Sequence, residues 1–300
     1  ITLCSFYKIY DRICSVIINR NKGFNLNMEE DSIRLIDMHI HTDNSPDGHH
    51  SAMFMAETAE EKKLEAIAFT DHCEVDKYYE NEYDRRTLQS YFEVSKAKAA
   101  FKGRLEVLRG IELGEPHYNP ELAKKIINMQ KYDVVLGSLH NLRNKEDFYY
   151  WKEFNEKDVP IFMNEYFSEI LKMLEWGDFD VLAHLTYPFR YIYNVCGYVE
   201  DINNYSKTVD EILKLCAEKN KALEINMGGL KYPIHLPTPT FETVKRFKDL
   251  GGKFVSVGTD SHYAERIGDG IYEAYGIARE AGFKCVAKFR ERKLFEFPIV

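Results

Sequence analysis

A distorted (β/α)7 barrel of the TIM-like kind is the fold class this sequence predicts, and three observations lead to it. Short apolar runs alternate with helix-like stretches along most of the 300 residues, which is the pattern of parallel β–α units joined by right-handed crossovers. The length suits one α/β barrel as a single domain. Six of the seven apolar runs end, on the carboxyl side, in a histidine or carboxylate. An open sheet would collect such residues at one switch point, whereas a barrel gathers every strand end around one mouth.

The first run, Ile36 to Ile40, delivers His39 and His41 at i and i+2, on one face of a strand. The polar run Asp43-Asn44-Ser45-Pro46-Asp47-Gly48 turns the chain into a helix from Ser51, its cap, to Leu64. Glu65 to Thr70 is the second strand and ends in Asp71-His72; residues 75–86 are charged, tyrosine-rich and without core period, so they are expected to be a loop. A helix follows from Thr87 to Phe101, then a strand from Leu105 to Ile111 ending in Glu112-Leu113-Gly114-Glu115. Pro120 to Gln130 is a helix with proline in its first turn. The strand from Asp133 to Leu139 ends in His140, and an aromatic, charged insertion (141–158) precedes a helix from Ile161 to Glu175. Asp180 to Ala183 is a strand ending in His184, followed by a loop through Arg190 and a helix from Ser206 to Lys219. Ala222 to Asn226 runs into Met227-Gly228-Gly229, and the helix from Thr240 to Leu250 is stopped by Gly251-Gly252. Phe254 to Thr259 ends in Asp260-Ser261-His262; a last helix covers Ala264 to Ala281, and Lys284 to Phe297 adds a final strand or edge segment.

A formal charge of −8 argues against a general nucleic-acid or membrane-surface binder. Six cysteines without C-x-x-C spacing suit a reducing cytoplasm better than a disulfide framework. No stretch approaches the ~18 apolar residues of a spanning helix. The chain begins at Ile1, and Met28-Glu29-Glu30-Asp31-Ser32 opens like a domain start, so residues 1–27 are expected to be a loosely attached or non-native extension of a domain spanning 28–300.

The strand ends supply His39, His41, His72, Glu112, His140, His184, Asp260 and His262, with Asp47 in the first loop. This donor set holds no cysteine and much nitrogen, which suits Zn, Mn or Fe rather than a Ca or Mg cage. It is too large for one ion; two or three divalent ions are expected. Their positive field fits a phosphate monoester dianion, and such ions lower the pKa of bound water. Arg190, beyond His184, is a candidate phosphate clamp because a guanidinium fork matches two phosphate oxygens; a surface salt bridge is the competing reading. Arg266 is a second candidate. His49, His50 and His235 read as surface residues and His117 as a loop residue. Cys73 is expected to point away from its neighbour His72, and Phe148-Tyr149-Tyr150-Trp151 is expected to pack.

From Ile33 to Phe295 the sequence resembles the PHP (polymerase and histidinol phosphatase) family of metal-dependent phosphoesterases. The matching stretches are His39-Ile-His41, Thr70-Asp71-His72, Gly110-Ile-Glu112, Gly137-Ser-Leu-His140, Ala183-His184 and Gly258-Thr-Asp260-Ser-His262. Leu223-Glu-Ile-Asn226-Met-Gly-Gly-Leu230 and Arg266-Ile-Gly268 point to the stand-alone histidinol-phosphatase branch. The resemblance implies a trinuclear site: His39, His41, Glu112 and Asp260 on the first ion, Glu112 bridging to His140 and His184 on the second, and His72, His262 and position 47 on the third. Many relatives carry histidine at that last position, where this chain has Asp47.

The expected function is hydrolysis of L-histidinol phosphate to L-histidinol and phosphate in histidine biosynthesis. Glu112, Asp260 and His262 would shape the reacting centre and Arg190 would steady the phosphoryl oxygens; Glu115, Asp43 and Asn226 are candidates for the amine or imidazole of that substrate. The alternatives are another phosphoester of the same family (a small phosphate, a phosphotyrosyl peptide or a nucleic-acid end) and a metal-binding scaffold without activity. A basic groove would favour nucleic acid and lost ligands would favour the scaffold, and the sequence carries neither.

Overall fold

A computed structural model describes residues 34–299. The segment 1–27, expected to be an extension, lies outside the described residues. The barrel strands are β1 (Ile36–Ile40), β2 (Ala66–Phe69), β4 (Glu106–Gly114), β5 (Val134–Ser138), β6 (Val181–Leu182), β7 (Ala222–Asn226) and β8 (Val255–Gly258), hydrogen-bonded in that order and all parallel. A short strand β3 (His72–Glu74) continues β2 and pairs with the upper half of β4. The ring closes where Asp260 N–H donates to His39 O and His41 N–H to Ser261 O, each at 2.8 Å. The (β/α)7 barrel is therefore the fold, as expected.

The outer layer is built from α1 (Ala52–Glu61), α2 (Tyr83–Ala100), α3 (Pro120–Met129), α4 (Val159–Trp176), α5 (Tyr187–Cys196), α6 (Ser206–Glu218), α7 (Phe241–Asp249) and α8 (Ile271–Glu280). Ser51 and Asn119 cap α1 and α3 through their side-chain oxygens, and Gly177, left-handed at φ 67°, stops α4. The antiparallel hairpin β9 (Cys285–Arg290) and β10 (Lys293–Pro298) packs against β8. Arg292 in its turn ties it to Asp178 and Asp180, beside the start of β6.

Four expectations need correction. Arg190 is not in a loop: α5 covers it, because Pro188 sits in the first turn and the apolar face of Tyr187, Tyr191 and Ile192 is buried. The last helix is broken, with one turn at Ala264–Arg266 and α8 beginning only at Ile271. Gly268 and Gly270 between them have φ of 79° and 78°, which a continuous helix cannot contain. The loop 75–86 ends early, since α2 starts at Tyr83 and buries it. Strand β4 runs on to Gly114, so Glu112 lies inside a strand rather than past its end.

The core is one large cluster between barrel and helices, plus a smaller one under α1 and α2. Phe179 is fully buried, and a Cβ on Gly137 would lie 2.7 Å from its ring. The ring thus fills the space that Gly137 leaves beside β5. Phe179→Ala is expected to cost about 3–5 kcal/mol, read as a lower urea midpoint, while activity per folded molecule is retained because Phe179 lies outside the ligand set.

Candidate metal centre

Six strands (β1, β3, β4, β5, β6 and β8) and the first loop bring side chains to one point at the carboxyl mouth of the barrel. Glu112, fully buried on β4, is at its centre. Its Oε1 lies 2.8 Å from His184 Nε2 and 3.2 Å from His140 Nε2; its Oε2 lies 2.9 Å from His72 Nδ1, 3.4 Å from His39 Nε2 and 3.5 Å from His41 Nε2. Asp260, held in the left-handed region at φ 54°, brings Oδ1 to 3.4 Å from His41 Nε2 and 3.8 Å from His39 Nε2. Asp47 reaches over from the first loop, 3.2 Å from His262 Nε2 and 3.7 Å from His72 Nε2. Its side chain is 51 % exposed, unlike the sealed Glu112. All nine candidate ligands therefore meet.

Several of the histidines are oriented by partners behind them. His41 Nδ1 lies 3.1 Å from Ser45 Oγ, and Ser45 in turn donates to Asp71 at 2.8 Å, so His41 Nδ1 carries the proton. His140 Nδ1 faces Glu74 at 3.1 Å and His262 Nδ1 faces the Asp260 carbonyl at 3.0 Å. In each case an acceptor takes the Nδ1–H and leaves the Nε2 lone pair for the centre. Asp37, buried under β1, accepts from Thr259 N–H (2.9 Å), Thr259 Oγ1 (2.6 Å) and Gly268 N–H (3.1 Å), tying β1 to the strand end that carries Asp260. Burial outweighs these bonds and pushes its pKa up to about 6.

Burial disfavours charge on His39, His72 and His140, yet the surrounding carboxylates hold all three well above the usual imidazole range. Burial would raise Glu112 and Asp260, yet the imidazoles hold both well below the carboxylate range. His41 is driven down by burial and then by His262 and His72. The Nε2 atoms of His39 and His41 face each other at 3.0 Å and those of His140 and His184 at 3.3 Å, a geometry that two lone pairs do not adopt without a cation nearby. Glu112 Oε2 and His72 Nδ1 are both buried and 2.9 Å apart, but neither has a well-aligned hydrogen bond. The sets His39–His41–Asp260, His39–Glu112–His184, His41–His72–His262 and His72–Glu74–His140 each bring their donor atoms within 4.8 Å of one another. Imidazole and carboxylate donors in such groups fit divalent ions of the Zn, Mn or Fe kind.

Arg190 is buried, with both Nη atoms 3.4 Å from Asp260 Oδ2 and its guanidinium against the faces of Tyr187 (4.5 Å), Tyr191 (5.1 Å) and Tyr232 (5.3 Å). It is therefore no surface salt bridge. Gly228 makes room for it, since a Cβ there would lie 3.1 Å from its Nη1. Arg266 is exposed and lines a cavity of about 240 Å³ together with Asp260, His262, Lys231, Tyr263 and Met227.

The other expected contacts resolve differently. Glu115 does not open onto the mouth: it is fully buried and accepts from His140 N–H at 2.6 Å. Burial and then the neighbouring Glu74 carboxylate push its pKa well above the usual range. Asn226 is buried, donating to Glu224 at 3.1 Å and accepting from Gly228 N–H at 2.9 Å. Asp43 is exposed, and burial, Glu93 and Asp71 push its pKa up. His117 sits on a single helical turn with Nε2 2.8 Å from Glu169 on α4. Phe148 and Trp151 pack at 4.9 Å, Tyr149 and Tyr150 are exposed, and Cys73 is buried in the core.

Two carboxylates escaped the sequence reading. Glu74 lies between His72 Nδ1 (3.3 Å) and His140 Nδ1 (3.1 Å). Its spacing of i, i+2 from His72 was the available signal, the same as in His39-x-His41 and Asp260-x-His262. Glu224 bonds His39 Nδ1 at 2.7 Å; a charged residue inside the apolar run of β7 was the only hint.

The chain belongs to the PHP family: the PHP domain model matches residues 37–228. Among its relatives, the Clostridium acetobutylicum protein named "Probable histidinol-phosphatase" is 30% identical over 267 residues, covering 88% of this chain and 99% of that one. The "Histidinol-phosphatase" of Lactococcus lactis is 29% identical, covering 87% and 97%. The crystal structure of the Lactococcus lactis histidinol phosphate phosphatase, complexed with Zn, L-histidinol and phosphate, superposes with a TM-score of 0.72 at 27% identity, over 88% of this chain and all of that one.

Removing metal with a chelator should expose the unpaired carboxylates. For an ion present at 100 times its Kd the folded state loses about 2.7 kcal/mol, so the melting temperature is expected to fall by roughly 5–10 °C and to recover on adding Zn or Mn. An unchanged melting curve, with metal loss verified by elemental analysis, would count against a structural share for the ions. Glu74→Gln, which leaves an amide where one carboxylate faces two imidazoles, should lower metal content and activity together.

Proposed function

We propose that this protein is a divalent-metal-dependent histidinol-phosphatase, hydrolysing L-histidinol phosphate to L-histidinol and phosphate. The observation that carries the reading is a buried carboxylate–imidazole cluster with an arginine held against it. Similarity over nearly the whole length of proteins named for this reaction supports the substrate. Following the implied grouping, His39, His41, Glu112 and Asp260 would hold one ion, Glu112, His140 and His184 a second, and Asp47, His72 and His262 a third. When bound, the ions supply positive charge and a water of lowered pKa to the phosphoryl group.

The chain's own residues do the rest. Glu112 would serve two of the ions, because its Oε1 faces His140 and His184 while its Oε2 faces His39, His41 and His72. Arg190, confined among three tyrosines and unable to deprotonate, presents a preorganised donor fork to the phosphoryl oxygens. Asp260 and His262 also line the cavity shared by Lys231 and Arg266, so that cavity adjoins the ligand cluster. The −8 charge supports a small phosphate ester over a nucleic acid. Cys73, Cys196, Cys216 and Cys285 are free thiols, which supports a cytoplasmic setting; among the described residues no helix is long and apolar enough to cross a membrane.

Phosphate release from histidinol phosphate beside a panel of other phosphomonoesters, with Zn- or Mn-loaded protein, tests the substrate: a kcat/KM advantage of at least about 100-fold (about 2.7 kcal/mol in transition-state binding) is expected, and equal turnover across the panel would withdraw it. Glu112→Gln should abolish turnover and lower bound metal, whereas full activity would remove Glu112 from the centre. Arg190→Ala should chiefly raise KM, and unchanged kinetics would assign the arginine to packing.

A further inference from the structure

We propose that Glu224 is the positioning residue of the metal centre, one carboxylate that aims both His39 and His184 at Glu112. The inference rests on the metal-centre reading above and concerns a residue outside the ligand set. Glu224 is buried on β7 and points into the barrel beneath the cluster. Its Oε1 takes His39 Nδ1–H at 2.7 Å; its Oε2 takes the peptide N–H of His184 at 2.8 Å and Asn226 Nδ2–H at 3.1 Å. Both oxygens therefore accept, and every partner is a donor. The first bond sets the tautomer of His39, leaving the Nε2 lone pair toward Glu112 and Asp260. The second holds the peptide of His184 at φ 20°, where residues with a side chain are seldom found, so that Nε2 of this histidine reaches Glu112 at 2.8 Å.

The packing reserves the space for this contact. A Cβ on Gly258 would lie 2.7 Å from Glu224 Oε1 and 2.4 Å from His39 Cβ, so only glycine at that point of β8 lets the carboxylate and the imidazole meet. A glutamine at position 224 has the right shape and the wrong polarity. Whichever way its amide turns, its NH2 group meets His39 Nδ1–H or the pair of donors from His184 and Asn226, and either His39 takes the other tautomer or the His184 peptide moves.

The test compares wild type, Glu224→Gln and Ile225→Val, the last a core substitution on the same strand that touches no ligand. Zinc per chain is counted after dialysis, zinc affinity is measured by competition with a chromophoric chelator, and the His39 tautomer is read from long-range 1H–15N spectra of the zinc-loaded protein. Glu224→Gln is expected to bind its most weakly held zinc 10- to 100-fold less tightly than wild type and to lose the Nδ1–H pattern of His39, while Ile225→Val matches wild type in both. Should Glu224→Gln fail to fold, Glu224→Asp, which keeps the charge but withdraws it by one methylene, carries the same comparison. Wild-type zinc affinity and tautomer in the folded Glu224 variant would overturn the proposal with the metal centre intact. Wild-type protein that retains no zinc would overturn the metal-centre reading and this one with it.

Discussion

A carboxylate sealed from water at the centre of a barrel is the constraint on which the site depends. Burying an isolated carboxylate costs so much that it would normally take up a proton instead. Glu112 stays ionised because His39, His72, His140 and His184 converge on it from four strands. The dependence runs in both directions. Those imidazoles are buried polar groups that need partners, and Glu112 is the partner most of them share. Placing it within β4 rather than on a loop gives the group a backbone fixed by hydrogen bonds to β3 on one side and β5 on the other.

Around this centre lies a layer of groups that touch the ligands rather than ions. Glu74, Ser45, the Asp260 carbonyl and Glu224 each accept a proton from an Nδ1 atom. Asp37 and Asp71 are tied in turn to backbone and hydroxyl donors. Geometry held this way is already present in the protein, so ion binding need not order the side chains first. The exception is Asp47, which arrives on an exposed loop and has two imidazoles as its partners. Burial would raise its pKa, but His72 and His262 hold it well below the carboxylate range. An anion here adds negative charge to the most open part of the centre.

Arg190 illustrates how a barrel makes a buried cation tolerable. Three tyrosine faces, the Asp260 carboxylate and the space left by Gly228 surround the guanidinium. The aromatic faces are weakly attractive to a cation and hold the planar group in one orientation. The carboxylate supplies charge balance without a bidentate embrace, since both Nη atoms meet a single oxygen at 3.4 Å. The result is an arginine oriented by its cage and not consumed by a full salt bridge.

The barrel, the strand-end histidines and the family were legible from the sequence because each rests on spacing along the chain. Alternation of apolar runs reports parallel units, and i, i+2 pairs report a shared strand face whatever the rest of the fold does. Those signals are local, so His39-x-His41 and Asp260-x-His262 could be placed before any coordinates existed. The same local logic would have found Glu74 beside His72, had the strand been extended past Asp71. What tertiary structure alone decided were the contacts between residues far apart in the chain: Glu224 behind His39 and His184, Asp37 across to Thr259, Glu115 turned inward onto His140 rather than outward to a substrate. No periodicity encodes these, because each depends on which strand lies next to which and how far its backbone is pleated at that point. Arg190 shows the limit most clearly. Its place in the chain suggested a role near His184, but burial among tyrosines from two separate segments, 187–191 and 232, made it part of the site, and it is the pairing of β6 with β7 that brings those segments together.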